Sequence, residues 1–140
     1  MKINDDIIKE LMLPFQEEGE KEAYYCYGVV TASVGKMMLL GTLASFANTY
    51  YILGFTDRKI IFIRLDMLGK IADKTVVTYD KIKNVKISGW FFGMGKKLNI
   101  RLVDNSKVNL KINKMTVGIH KQKENLIKIC DMLKDKFNDK

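Results

Sequence analysis

Over residues 50–112 apolar and polar side chains alternate in short runs, and turn-forming residues break the alternation. A period of two is the signature of strands with one buried face. Residues 50–55 and 59–65 flank Thr56, Asp57 and Arg58, which supply turn chemistry. A further run over 74–79 follows a loop with Gly69 and Asp73, and Val85 and Ile87 alternate with Lys86 and Ser88. Leu98, Ile100 and Leu102 alternate with Asn99, Arg101 and Val103. Val108, Leu110 and Ile112 alternate with Asn109 and Lys111, and Asp104, Asn105 and Ser106 join the two runs as a hairpin loop. One apolar face per strand predicts an antiparallel sheet with one wet face, not a doubly wound parallel sheet.

The period lengthens at both ends. Ile119, Leu126, Ile129, Cys130, Leu133 and Phe137 form one stripe, which predicts a helix over 117–137. Lys134, Lys136 and Lys140 suit the negative end of that helix. At the start, Ile3, Ile7, Ile8, Leu11 and Met12 share a helical face, Asn4 can cap it, and Pro14 should end or bend it. Asp5 and Asp6 suit its positive end. Glu17 to Glu22 reads as an acidic linker, and 24–30 as a first strand. Residues 31–49 follow neither period and read as a long connection with a helical turn or two. The expected fold is mainly β: a curved antiparallel sheet whose open end the C-terminal helix stoppers, with a short N-terminal helix.

The 140 residues suit one domain, and 47% hydrophobic with 29% charged residues is an ordinary globular composition. A core of this size needs neither metal nor disulfide, and no cofactor is expected. Charge is divided unevenly. Residues 1–28 hold three lysines against seven acids, a net −4, and residues 29–140 hold 21 basic against nine acidic residues, a net +12. A basic body can attract anionic partners, and equally it can keep a small sheet soluble and guard its edges. The start carries Asp5, Asp6 and Glu10 where a secretory leader would be basic and then apolar, so a cytoplasmic chain with Cys26 and Cys130 reduced is expected. A Cys26–Cys130 bridge is the alternative. The most apolar stretch, residues 37–47, is about half of what spans a bilayer.

Leu53-Gly-Phe-Thr-Asp-Arg-Lys-Ile-Ile-Phe-Ile63 resembles the "LTxxRLIFI" hairpin of bacterial pleckstrin-homology-like domains, relatives of the GRAM domain. Val77-Thr-Tyr-Asp-Lys-Ile-Lys-Asn-Val85 resembles their "IPxxxIxxV" strand and turn, and Leu98-Asn-Ile-Arg-Leu-Val-Asp-Asn105 their "LxIxxxDG" hairpin. Glu18-Gly19-Glu20 is similar to the acidic "GE" that precedes their first strand. The resemblance implies a PH-like, seven-stranded, two-sheet, partly open barrel over residues 18–140, capped by the C-terminal helix, with residues 1–17 as a helical extension. It implies a binding or assembly module rather than an enzyme. Relatives that bind phosphoinositides use closely spaced basic residues on and after the first strand, where residues 24–49 offer only Lys36.

Catalytic sets are not found. His120 is the sole histidine and lies among lysines at a predicted helix start, where an exposed bystander is expected. Gly93-Met-Gly-Lys-Lys97 falls short of a phosphate loop, which needs glycine where Trp90 stands and serine or threonine where Lys97 stands. Two segments keep functional interest. Trp90, Phe91 and Phe92 cannot all face inward on a strand, and Lys96 and Lys97 follow them. Met37, Met38, Leu39, Leu40 and Phe46 form a glycine-bounded, methionine-rich apolar segment. Either can be covered by the protein itself or serve as a contact. The first expectation is a protein partner, with self-association into a homo-oligomer. The second is peripheral attachment to an anionic membrane at its inner face. Nucleic acid is disfavoured, because the cations are mostly lysine and base contacts favour arginine.

Overall fold

The computed structural model describes residues 3–34, 49–90 and 93–137. Helix α1 (Asp5–Met12) and a 3-10 turn (Leu13–Phe15) precede β1 (Tyr24–Val34), β2 (Thr49–Phe55), β3 (Lys59–Leu65) and β4 (Ile71–Thr78). A second 3-10 turn (Tyr79–Lys81) leads to β5 (Ile82–Trp90), β6 (Gly95–Leu102) and β7 (Lys107–Asn113), and α2 (Gln122–Phe137) follows. The strands form one antiparallel sheet in the order β4-β3-β2-β1-β7-β6-β5. Its two edges, β4 and β5, are consecutive in the chain and joined by three residues, so the sheet must roll until that corner meets. This is the expected seven-stranded, partly open barrel, but it is one continuous sheet and not two, because β1 pairs with both β2 and β7.

The long strand β1 serves both halves. It pairs with β2 from Tyr24–Phe55 to Val30–Thr49, and with β7 from Val29–Lys111 to Val34–Lys107. A register shift between Val30 and Ala32 marks a bulge, the usual device for bending a strand across a corner. The inner face holds Leu53, Phe55, Phe62, Leu98, Leu110 and Ile112, and α2 adds Leu126, Ile129, Cys130 and Leu133. Both cysteines are free and buried.

The expectation of one wet face fails for half of the sheet. Ile60, Ile61, Phe62 and Ile63 are all buried, because α1 lies on the outer face of β2 and β3. Ile8 and Met12 pack there against Tyr25, Ile52, Ile61 and Ile63. Gly54 permits this approach, since a Cβ there would meet the Met12 sulfur. Asn4 caps α1 as expected, accepting from the Ile7 amide at 2.9 Å. Asp5 does more than complement the helix dipole. Its carboxylate accepts from the His120 amide at 2.7 Å, the Lys121 amide at 3.2 Å and the Tyr25 hydroxyl at 2.6 Å. That anchors α1 to the connection before α2.

Three boundaries differ from expectation. The helix predicted from 117 begins at Gln122, because Gly118 takes a positive φ of 89° and Thr116 bridges to Ile119. Ile119 therefore packs with α1 and not in the α2 stripe. β1 runs on to Val34, and β4 starts at Ile71, which places Asp73 in a strand opposite Arg64, with which it forms an ion pair.

The acidic linker is also not merely solvated. Glu20 is buried and bonds Lys59 at 2.9 Å. It also accepts from the Thr56 hydroxyl and from the Glu17 amide at 2.9 Å. Thr56 in turn accepts from the amides of Arg58 and Lys59, both at 3.0 Å. Burial pushes the Glu20 carboxyl up, and the bonds from Thr56, Glu17 and Lys59 more than offset this, holding it below its ordinary 4.5. A carboxyl depressed by folding stabilises above its unfolded value, and that contribution is lost as pH falls through 4.5 toward the folded value.

Replacing Glu20 by alanine leaves the Lys59 ammonium buried with only the exposed Glu17 at 3.8 Å. Urea denaturation at pH 7 should show a loss of about 3–5 kcal/mol. Glu20→Gln should flatten the decline of stability below pH 4.5. An unchanged acid limb would contradict the role given to this carboxylate.

Candidate interaction site

The strands locate the two segments singled out in the sequence. Met37, Met38, Leu39, Leu40 and Phe46 lie outside the described residues, as do Phe91 and Phe92. Their flanking strand ends are described. Val34 pairs with Lys107 at the start of β7, whereas Trp90 pairs with Gly95, and Gly95 with Asn113 at the end of β7. Seven strand residues cover roughly 20 Å. The two segments thus leave the sheet at opposite ends, and their anchor points do not form one patch.

Lys96 and Lys97 also part company, since neighbours on a strand face opposite ways. Lys96 shares its register with Gly89 and Ile112 and is half-buried on the inner side. Lys97 shares its register with Ser88 and Lys111 and is exposed on the outer face.

Lys96 belongs to a groove of about 370 Å³ between the β5–β6 turn and α2. Lys114, Lys123 and Lys134 bring the lysines that line it to four, and Asp131 is the single carboxylate among the lining residues. Leu126, Ile127 and Cys130 supply an apolar wall. Residues 123, 127, 130 and 134 fall on one helical face, so α2 carries a second stripe beside its core stripe. The Lys114 amide donates to the Met94 carbonyl at 2.8 Å, which ties the turn to the end of β7. Gly93 takes a φ of 77°, a conformation that side chains disfavour. Ile127 at the rim and Met94 in the adjoining turn are each about half exposed.

The groove's chemistry is attraction of an anion joined to an apolar body. Burial pushes the Cys130 thiol above its ordinary value, Lys96 and Lys134 pull it back, and Asp131 pushes it up again, leaving it raised. A thiol so held is a poor nucleophile at neutral pH. His120 is exposed, and its backbone amide is engaged by Asp5. Among the described residues no three metal-ligating side chains cluster, and no helix is long and apolar enough to cross a membrane. Lys114, Lys123 and Lys134 were not singled out as site residues by sequence; for Lys123 and Lys134 the signal was the spacing on α2, hidden beside the stronger core stripe, and Lys114 comes from the connection after β7.

A family described as the bacterial PH domain matches residues 17–135, and the chain belongs to that family. Domains of this kind are generally binding modules. Among solved structures the chain is similar to the hSac2 domain from human phosphoinositide phosphatase Sac2. The identity is 15% over 96% of this chain and 83% of that chain, with a TM-score of 0.49. No curated protein matches.

In the native protein, Ellman's reagent should modify Cys26 and Cys130 far more slowly than after denaturation, because both are buried and both thiols are raised. In a Cys26→Ala background, Lys96→Gln should raise the onset of Cys130 thiolate absorbance to higher pH. A rate near that of free thiol would contradict the packing of α2 on the sheet.

Proposed function

We propose that this chain is a non-catalytic module that attaches to an anionic, amphiphilic surface through the end of the barrel where the β5–β6 turn meets α2. The observation that carries this reading is the groove itself: four lysines face one carboxylate over an apolar wall. Ile127 at its rim and the exposed Met94 in the adjoining turn give apolar contact, and Lys96, Lys114, Lys123 and Lys134 give charge. A lipid membrane of negative surface charge presents both complements, with headgroups for the lysines and acyl boundary for the rim. Trp90, Phe91 and Phe92 flank this end in sequence, and Lys97 follows them. Such attachment would place the protein in the cytoplasm, at the inner face of the membrane. The PH-like domain would do the binding, with residues 1–17 as an extension that stiffens the sheet.

A second reading is protein contact through self-association. The observation that favours it is the division of charge, net −4 over residues 1–28 and net +12 over the rest, since opposite charges on one chain attract between copies. Neither reading involves a cofactor.

Co-sedimentation with vesicles tests the first reading. Wild type should bind vesicles rich in anionic phospholipid at low salt, release as salt rises, and ignore zwitterionic vesicles. Each lysine near such a surface contributes about 1 kcal/mol, so Lys114→Gln, Lys123→Gln and Lys134→Gln together should weaken partition by about 100-fold. Binding unaffected by the triple substitution would sink the assignment of this groove.

A further inference from the structure

The outer faces of the two halves of the sheet are unlike. α1 covers β2 and β3, whereas among the described residues no element lies over the outer face of β5, β6 and β7. No aspartate or glutamate occurs in these three strands. Their outward positions carry Lys86, Lys97, Arg101, Lys107 and Lys111. Arg101 lies directly opposite Lys107, and Lys97 directly opposite Lys111. Like charges opposed across neighbouring strands destabilise a sheet. A face built this way is relieved when carboxylates settle on it.

The same chain carries such carboxylates. A cavity of about 400 Å³ opens between α1 and the sheet. Asp6, Glu10 and Glu22 rim it with one cation, Lys9, and Met12, Tyr25 and Ile61 line its apolar wall. Leu13 beside it is 64% exposed. An apolar wall under a carboxylate rim suits a lysine, whose methylene stem prefers apolar contact while its ammonium seeks charge.

We infer that the chain associates head to tail with a second copy, the acid-rimmed cavity of one protomer seated on the cationic outer face of β5–β7 of the next. This rests on the self-association reading and names its two surfaces. Because the surfaces differ, the contact is heterologous and adds copies in series unless the rotation closes a ring. Three strands at their usual spacing and rise offer on the order of 300 Å² of flat face. That is below the roughly 800 Å² per partner of a stable interface, so the contact is weak and reversible. Its attraction comes from charge and is screened as ionic strength rises.

Sedimentation velocity of two charge-reversed variants tests the contact. One carries Glu10→Lys and Glu22→Lys, and the other carries Lys86→Glu and Lys107→Glu. All four positions are exposed, and circular dichroism verifies the fold. At about 0.05 M salt the wild type should form a concentration-dependent series of species that collapses to monomer near 0.5 M. Each variant alone should stay monomeric, because it lacks one of the two surfaces. Their 1:1 mixture should associate again, because one variant keeps its sheet face, the other keeps its cavity, and the two reversed surfaces also carry opposite charge. If both variants associate as the wild type does, the head-to-tail contact is wrong while self-association stands. If the wild type is monomeric at low salt, both are wrong. If the wild type is monomeric and the sheet variant alone loses binding to anionic vesicles, the face belongs to a membrane and the contact is overturned.

Discussion

β1 is hydrogen-bonded to β2 along its first part and to β7 along its last, and at Val29 and Val30 to both. That shared strand makes three strands on one side and three on the other a single rolled sheet. The bulge after Val30 lets β1 turn the corner without losing either partner. Once the sheet is rolled, the apolar stripe of α2 packs against its inner face. The opposite side of the same roll leaves two outer faces, and only one of them receives α1. The lysine groove lies between α2 and the β5–β6 turn, and the cationic sheet face lies where, among the described residues, no helix rests.

The unequal covering also explains the charge. Acidic residues gather on α1 and the segment after it, where Asp5 holds the connection to α2 and Glu20 is locked beneath Thr56 and Lys59. Basic residues gather on the strands and on α2. Two acids are thus consumed in holding the fold, and Asp6, Glu10 and Glu22 remain at the surface around the cavity. The lysines of the groove and those of the sheet face are separate sets, because Lys96 and Lys97 point to opposite sides of β6. The proposed membrane contact and the proposed contact between copies therefore use different lysines.

Much of the fold was legible as alternation. The runs around Leu98, Ile100 and Leu102 and around Val108, Leu110 and Ile112 have one wet face, and their period of two survives in the structure. The run Ile60 to Ile63 broke the period and still read as a strand, but its two-sided burial needed knowledge that α1 folds back onto it. Ile119 misled because its spacing fits the α2 stripe, whereas the positive φ of Gly118 and the Thr116 bridge pull it to the other face. The likeness of Glu18-Gly19-Glu20 and of Thr56-Asp57-Arg58-Lys59 to two separate family motifs turned out to be one interaction, the buried Glu20–Lys59 pair. The site was half legible. Lys96 and Lys97 stood out beside three aromatics, but Lys114, Lys123 and Lys134 come from elements that only the folded chain brings to the same groove.

Trp90 is the only tryptophan in the chain and ends β5 at the barrel end assigned to the anionic surface. Its fluorescence is therefore a local reporter, read in the full-length protein with anionic vesicles that carry nitroxide-labelled lipids. The emission should shift to the blue and be quenched by the shallow label when vesicles are added at low salt. Vesicle binding with Trp90 emission unshifted and unquenched would place the membrane on another face and contradict the assignment.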